Sequence, residues 1–155
     1  MSIRTTPPKW TIDWTPKEFA IRSYIFETRR KVCTQFGYQE YLTPLVENAD
    51  VYRAKSWEDV WWSELTLITD RWWRDIAIRP EMTPSVTRMV TANYQSRSKP
   101  IRLFSIANFY RNERPQRWRN REFWQLNVDV FGEDSVRADI EIIQMSVEIM
   151  KAFNA

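Results

Sequence analysis

Two strand-like segments, 101–110 and 122–131, lie on either side of a polar, arginine-rich loop, and this pairing restricts the chain to folds that contain a β-hairpin. Two further runs with β-like alternation, 65–69 and 75–79, predict a second hairpin with a short connection around Trp72-Trp73. Helical patterns lie apart from these hairpins. This arrangement predicts an α+β fold with an antiparallel sheet flanked by helices.

Local end signals mark the first helix. Thr15-Pro16-Lys17-Glu18 is a capping box with proline at the first helical position, and Gly37 is the residue type expected just past the end. The helix has one apolar face, which could be core or a contact with a second subunit: Ile21, Tyr24, Ile25, Val32 and Phe36.

Two more helices are predicted further along the chain. One opens at Thr83-Pro84, and the last begins near Asp134-Ser135. Apolar residues at helical spacing follow in the last helix: Val136, Ile140, Ile143, Val147 and Met150. Segment 41–46 lies between the first helix and the predicted hairpin at 65–79. It contains Pro44, which indicates an edge strand or a break between two strands.

The composition excludes several functional classes. The 155 residues amount to one domain, and 43% hydrophobic with 28% charged residues is ordinary for a globular protein. The absence of histidine excludes histidine-based triads and histidine-ligated zinc, and we predict no metal ligands. The single cysteine, Cys33, indicates a reducing, cytoplasmic location. No run approaches the roughly 18 apolar residues of a membrane span, and the first ten residues lack the apolar part of a secretory signal.

Segment 122–131 carries polar side chains on one of its two faces. Because side chains alternate along a strand, one face holds Phe123, Gln125, Asn127 and Asp129. The other holds Glu122, Trp124, Leu126, Val128 and Val130, and it is a conventional core face. The polar face is either a solvated strand surface or one wall of a ligand pocket.

The preceding loop concentrates positive charge. The net charge of the chain is only +3, yet five arginines fall within eleven residues: Arg111, Arg114, Arg117, Arg119 and Arg121. Each guanidinium is a permanent charge whose planar fork matches phosphate oxygens. The cluster therefore indicates either a polyphosphate site, with Phe123 stacked on a base, or a general nucleic-acid surface. Charge alone does not separate these two interpretations.

Three segments resemble the histidyl-tRNA synthetases, a class II aminoacyl-tRNA synthetase family. Residues 109–125, which include Arg111-Asn112-Glu113-Arg114-Pro115-Gln116, look like motif 2 of that family. Arg79-Pro80-Glu81-Met82-Thr83 resembles its R-P-E-x-T segment, and residues 41–47 resemble its motif 1. The resemblance covers nearly the whole chain. It implies that residues 1–155 form the N-terminal part of a class II catalytic core.

The resemblance assigns roles to particular side chains. Arg111 matches the motif 2 arginine that holds the α-phosphate of ATP and the histidine carboxylate. Arg119 matches the loop arginine that reaches the outer phosphates, Glu113 the residue that contacts adenine, and Phe123 the ring stacked on it. Residues lining the histidine pocket are matched by Glu81, Thr83, Gln125 and Asp129.

The implied activity is that of a histidine–tRNA ligase. It uses ATP and Mg²⁺ to activate histidine and then transfers the acyl group to tRNA-His. Attack of a carboxylate on the α-phosphate requires orientation and charge neutralisation more than a base, so a chain without histidine can support it. The resemblance also implies a homodimer that associates through motif 1.

Several parts of the family pattern lie outside the 155 residues: motif 3, the histidine-specific segment and the anticodon-binding domain. We therefore expect the chain to be inactive alone and to expose sheet and apolar surface. A non-catalytic relative, the regulatory subunit of ATP phosphoribosyltransferase, is the main alternative. It does not need the phosphate-binding residues, so the presence of Arg111, Glu113 and Arg119 favours the enzyme. Other class II synthetases and a basic RNA-binding module explain fewer of these residues.

Glycine is unusually rare and tryptophan unusually common. Glycine averages about 7% of residues, yet this chain has 2 glycines and 9 tryptophans. Seven tryptophans fall where the family pattern has or accepts glycine: Trp10, Trp57, Trp61, Trp62, Trp72, Trp73 and Trp118. A two-residue hairpin turn at Trp72-Trp73 would require positive φ, which favours glycine. We hypothesise that UGA codons for glycine were translated as tryptophan, and that the chain with tryptophan folds poorly and binds ATP weakly.

Overall fold

The computed structural model describes residues 3–53, 64–112 and 119–155. The described segments contain helices α1 (Pro16–Gln35), α2 (Ala49–Arg53), α3 (Thr83–Thr91) and α4 (Val136–Ala152), and a 3₁₀ turn (Tyr94–Ser96). The strands are β1 (Gln39–Glu40), β2 (Val46–Asn48), β3 (Thr66–Thr69), β4 (Asp75–Ile78), β5 (Ile101–Tyr110) and β6 (Glu122–Phe131). The predicted α+β class is confirmed.

Most predicted elements occur with nearly the predicted boundaries. The proline-containing segment 41–46 is a break, because β1 ends before it and β2 begins only at its last residue. Helix α2 and the 3₁₀ turn were not predicted, since elements of three to five residues are too short to show a periodic pattern.

Helix α1 has the two ends that its sequence predicts. At its start, the Thr15 backbone N–H and hydroxyl both donate to Glu18 Oε2, at 3.1 and 2.6 Å, and these bonds lower the pKa of Glu18. At its end, Gly37 has φ +82° and its N–H donates to the Thr34 carbonyl, while Tyr38 N–H donates to the Cys33 carbonyl. This pair of bonds is a Schellman motif, which needs a left-handed residue and therefore favours glycine.

The chain divides into two compact units, each built from three separate stretches. The first comprises residues 1–13, 43–93 and 108–124, and the second comprises 14–42, 94–107 and 125–155.

The first unit contains an antiparallel sheet in the order β2-β4-β3. Its buried side chains include Tyr52, Leu65, Ala77, Met82, Val86 and Phe109. Helix α3 is joined to β2 by a charged pair, because Arg88 donates from Nε and Nη2 to Glu47 Oε2 at 2.9 and 2.7 Å. Glu47 is buried, so this pair keeps a carboxylate in the interior matched by a cation.

The second unit contains the sheet in the order β1-β5-β6. The two residues of β1 run parallel to β5, with Gln39 opposite Leu103, so this sheet is not purely antiparallel. The long stretch of chain between β1 and β5 permits the parallel pairing, which a tight hairpin would not. Core side chains come from both helices and from β5: Val32, Cys33, Leu103, Phe104, Ile106 and Met145.

Apolar residues predicted to face a core are partly exposed. The five apolar residues of α4 named from the sequence are each 46–69% exposed. On α1, Val32 is buried whereas Ile21 and Tyr24 are exposed. The predicted core face of β6 is only half-buried from Glu122 to Val130. These helix and strand faces are therefore less buried than their apolar periodicity predicts.

The turn between β3 and β4 differs from the sequence prediction. It is a three-residue loop, in which Trp73 N–H donates to the Asp70 carbonyl and Asp70 N–H donates to the Arg74 carbonyl, both at 3.0 Å. Trp73 has φ +61°, whereas Trp72 is not among the residues with positive φ. This is a turn followed by a left-handed residue, a common hairpin connection. The predicted two-residue turn is wrong, and only one of the two tryptophans occupies a glycine-like conformation.

Candidate functional site

A buried arginine joins three segments of the first unit. Arg79 is 3% exposed, and its Nη1 donates to the Thr43 carbonyl at 2.7 Å. Its Nε donates to the Asn108 carbonyl at 2.8 Å, and its Nη2 donates to Asn108 Oδ1 at 2.9 Å. Its guanidinium also lies 5.5 Å from the ring centre of Phe109. Arg79 thus ties the motif 1-like segment and β5 to the end of β4.

Arg111, the predicted α-phosphate ligand, is held by this framework. Its Nε donates to the Pro80 carbonyl at 2.9 Å, and its backbone N–H donates to the Arg121 carbonyl at 2.9 Å. Pro80 is fully buried next to Arg79 in sequence. A planar guanidinium bonded through Nε has its orientation restricted, which suits it to bind a charged ligand in one geometry.

Phe123 forms an aromatic platform beside Arg111. The Arg111 guanidinium lies 5.1 Å from the Phe123 ring centre, and the Phe109 ring lies 5.9 Å away with an interplanar angle of 32°. Phe123 is half-buried, so part of its surface remains accessible. A ring and a cation in this arrangement can bind the base and the phosphates of one nucleotide.

The predicted histidine-pocket residues of the first unit flank the start of α3. Glu81 is half-buried and directly follows Pro80, whose carbonyl holds Arg111. Thr83 is the first residue of α3 and is exposed. The structure therefore brings Arg111, Phe123 and the segment containing Glu81 together within one unit.

The other two predicted histidine-pocket residues, Gln125 and Asp129, lie on β6 in the second unit. Gln125 is exposed, whereas Asp129 is half-buried and accepts a hydrogen bond from the Tyr41 hydroxyl at 3.1 Å. Burial raises the pKa of the Asp129 carboxyl, and the bond from Tyr41 offsets part of that rise. A partly desolvated carboxylate binds a cation such as an amino group more strongly than a solvated one.

Glu113 lies outside the described residues, together with Arg114, Arg117 and Trp118. Arg119 is described and its side chain is exposed. The predicted contacts of Glu113 with adenine and of Arg119 with the outer phosphates therefore stay predictions.

Sequence reasoning named no role for Arg79, Tyr41 or Asn127. Arg79 was quoted within the R-P-E-x-T segment, but nothing in the pattern showed its burial or its three acceptors. Asn127 Oδ1, on the predicted polar face of β6, is buried and has no hydrogen-bond partner among the described residues. The sequence signal that could have identified Asn127 was its position on the same strand face as Gln125 and Asp129. The partnership of Tyr41 with Asp129 joins residues far apart in sequence and had no local signal.

One cavity of the described chain lies apart from the predicted site residues. A cavity of about 280 Å³ in the second unit is lined by Gly37, Gln39 and several residues of segment 97–102, and it includes none of the predicted site residues. Over residues 3–53, 64–112 and 119–155, no cluster of three metal-ligating side chains is present. Within the same ranges, no helix has the length and apolar character needed to span a membrane.

We predict that Asp129→Asn makes the fold more stable at neutral pH, by about 0.5–1 kcal/mol. The asparagine keeps an acceptor for Tyr41 and removes a partly buried charge. Because the folded-state pKa of Asp129 is raised, folding takes up a proton between the ordinary and the raised pKa, and stability falls as pH rises through that window. Urea unfolding of both forms from mildly acidic to neutral pH measures this. A difference between them that does not grow as pH rises would contradict the prediction.

Solved structures of known proteins share the fold of this chain. A solved histidine–tRNA ligase subunit from Alicyclobacillus acidocaldarius has a TM-score of 0.83 to this chain at 25% identity, over 98% of this chain and 43% of that one. A Bacillus halodurans structure is described as an ATP phosphoribosyltransferase regulatory subunit/histidyl-tRNA synthetase. It has a TM-score of 0.82 at 25% identity, over 98% of this chain and 39% of that one. The fold is that of a class II aminoacyl-tRNA synthetase core.

The sequence comparison is more specific. The model of the histidyl-tRNA synthetase family matches residues 11–155. The chain belongs to the histidyl-tRNA synthetase family. A histidine–tRNA ligase from Leptospira biflexa serovar Patoc is 44% identical over 147 residues, which are 95% of this chain and 34% of that protein. The chain therefore spans about a third of the length of this curated relative.

Proposed function

We propose that this chain provides the ATP- and histidine-binding part of a histidine–tRNA ligase. The observation that carries the proposal is Arg111, held by the Pro80 carbonyl and placed against the Phe123 ring. A cation fixed beside an exposed part of an aromatic ring suits the α-phosphate and the base of ATP. Membership in the family and the 44% identity to the Leptospira biflexa ligase support the same activity.

In this proposal, the chain acts by positioning and charge. Arg111 neutralises the α-phosphate and the attacking histidine carboxylate as the mixed anhydride forms and pyrophosphate leaves. Arg119 binds the outer phosphates, and Glu113 and Phe123 bind adenine. The residues that we propose to bind histidine are Glu81, Thr83, Gln125 and Asp129, as the family resemblance implies.

Magnesium would enter with the nucleotide. The described residues contain no cluster of carboxylates that could hold a metal by itself. Mg²⁺ commonly binds substrate phosphates together with only one or two protein carboxylates, so these residues fit a nucleotide-borne ion. When bound, it supplies further neutralisation of phosphate charge. We also propose tRNA-His as the acyl acceptor, a homodimer that associates through the motif 1-like segment, and a cytoplasmic location.

A regulatory subunit of ATP phosphoribosyltransferase is the second candidate, since one similar structure carries both descriptions. Such a protein would bind histidine without forming an adenylate. The presence of Glu113 and Arg119, which the resemblance assigns to adenine and the outer phosphates, favours the ligase, because sensing of histidine requires neither contact.

A hybrid enzyme tests the proposal. In this hybrid enzyme, residues 11–155 replace the matching third of the Leptospira biflexa ligase. The rest of the hybrid enzyme is the remaining two-thirds or so of that ligase. It is made with tryptophan and with glycine at the six named positions that lie within residues 11–155, which are all seven except Trp10. We expect histidine-dependent ATP–pyrophosphate exchange from the glycine form, and much weaker exchange from the tryptophan form. A folded hybrid enzyme that binds histidine but catalyses no exchange in either form would support the regulatory alternative.

A further inference from the structure

We propose that Arg79 is a positioning residue for Arg111, an inference that rests on the proposed function. Two segments contact or carry Arg111: the Pro80 carbonyl accepts from its Nε, and β5 leads directly into it. Arg79 is covalently next to Pro80 and is bonded to Asn108 of β5. One buried guanidinium therefore controls the relative placement of both.

The backbone around Arg79 strengthens this connection. Arg79 N–H donates to the Leu45 carbonyl at 3.0 Å, and the Arg79 carbonyl accepts from Tyr110 N–H at 3.1 Å. Tyr110 immediately precedes Arg111. The side chain and the backbone of Arg79 thus both contact the end of β5. A change in the Arg79 side chain therefore displaces Arg111 by two routes, through the adjacent Pro80 and through Tyr110.

The three side-chain bonds require the arginine fork. Nε and Nη2 donate to two oxygens of Asn108, while Nη1 donates to Thr43 in a different segment. A lysine ammonium retains the charge but is a point donor, so it cannot reproduce this planar arrangement. Arg79→Lys therefore separates geometry from charge.

The test uses the glycine form of the hybrid enzyme. We expect Arg79→Lys to lower kcat for histidine-dependent pyrophosphate exchange by about 10²-fold, because small displacements of a reacting group have effects of that size. Arg88→Lys is the matched control: Arg88 also bonds a buried partner in the first unit, Glu47, but touches neither Pro80 nor β5 in the described contacts. We expect it to shift the Tm by a similar amount while kcat changes less than about threefold.

Equal losses of kcat in the two lysine variants would overturn the positioning role, and so would an unchanged kcat in Arg79→Lys. These results require an active parent. An inactive parent hybrid enzyme instead contradicts the proposed function, so the two failures are distinguishable.

We also propose that positions 10 and 73 are glycine in the protein that the gene encodes. Among the described residues, positive φ occurs at both glycines, at Asn154, and at Trp10 and Trp73. Asparagine tolerates this region, whereas a bulky side chain is strained there. Two of the tryptophans that the family resemblance assigns to glycine sites therefore have the backbone conformation that glycine favours.

Both turns depend on that conformation. Thr11 N–H donates to the Pro8 carbonyl at 3.2 Å, with Trp10 at the third turn position, where positive φ is the type II arrangement that favours glycine. The Trp10 carbonyl accepts from Arg121 N–H at 2.9 Å. The Arg121 carbonyl in turn accepts from the backbone N–H of Arg111. Trp73 is 89% exposed, so its ring gains little packing in return for the strain.

Peptide analysis of the natural protein tests the assignment. Trypsin cleavage after Lys9 and Lys17 releases residues 10–17, which contain both Trp10 and Trp14. We expect the mass of a peptide with glycine at position 10 and a single tryptophan at position 14. The gene should carry UGA at positions 10 and 73 and UGG at 14 and 124. A peptide with two tryptophans, or UGG at position 10 or 73, would overturn the inference.

Stability supplies an independent check. We expect Trp73→Gly to raise the Tm of the chain by about 2–4 °C, through relief of left-handed strain. Trp72→Gly is the matched control, since Trp72 lacks positive φ and its ring packs against the Arg71 and Arg74 guanidiniums at 4.3 and 5.0 Å. It should leave the Tm unchanged or lower it. A Trp73→Gly variant no more stable than Trp72→Gly would contradict the strain argument.

Discussion

Arg111→Lys lowers histidine-dependent pyrophosphate exchange by the hybrid enzyme by about 10²–10³-fold, the effect typical of removing one oriented stabilising donor. Lysine retains the positive charge but lacks the Nε–H that bonds the Pro80 carbonyl. It also loses the flat face that lies against Phe123. The loss should appear in kcat, because oriented charge neutralisation acts mainly on the transition state.

Arg53→Lys is the control for this prediction. Arg53 is an exposed arginine of α2 in the same unit, bonded to Asp50 and Asp75 at the surface. Its replacement should change exchange by less than about twofold, since exposed ion pairs contribute little. Exchange by Arg111→Lys within about threefold of the parent would show that Arg111 does not bind the reacting phosphate.

Arg79→Met destabilises the chain by roughly 3 kcal/mol or more. Methionine fills part of the volume but donates no hydrogen bond. The buried Thr43 carbonyl then loses a donor, and so do the half-buried Asn108 carbonyl and Asn108 Oδ1. Each buried acceptor left without a partner costs about 1–3 kcal/mol. Urea unfolding of the 155-residue chain with glycine at positions 10 and 73 measures the change in the free energy of unfolding.

Arg53→Met is the matched variant for this measurement. Its ion pairs are solvent-exposed, so the change in the free energy of unfolding should stay within about 0.5 kcal/mol. If Arg79→Met unfolds at the same urea concentration as Arg53→Met, the three hydrogen bonds of Arg79 do not stabilise the fold.

Prediction from sequence succeeded where the signal was local. The capping box at Thr15–Glu18 and the left-handed Gly37 depend on residues a few positions apart, and both ends of α1 are as predicted. The alternation in 101–110 and 122–131 located β5 and β6. It failed at the β3–β4 turn, because loop length depends on which residues pair across the hairpin, and Asp70 pairs with Arg74.

The candidate site was only partly predictable for the same reason. The motif-like segments identified Arg111, Phe123 and Glu81, since the residue types and their spacing carry the chemistry. The placement of Asp129 against Tyr41 was not predictable, because these residues are far apart in sequence and meet only in the folded unit. Periodicity likewise identified the apolar residues of α4 but not their exposure, which depends on what packs against them.

The sequence by itself determined the α+β class, the family and the ends of the main helices and strands, and it singled out Arg111 as the proposed phosphate ligand. These features follow from short-range backbone preferences and side-chain chemistry. Only the tertiary structure decided that Arg79 is buried and bonds residues 43 and 108, and that positions 10 and 73 adopt positive φ. Burial and backbone conformation at such points result from packing between distant segments, which no local pattern encodes.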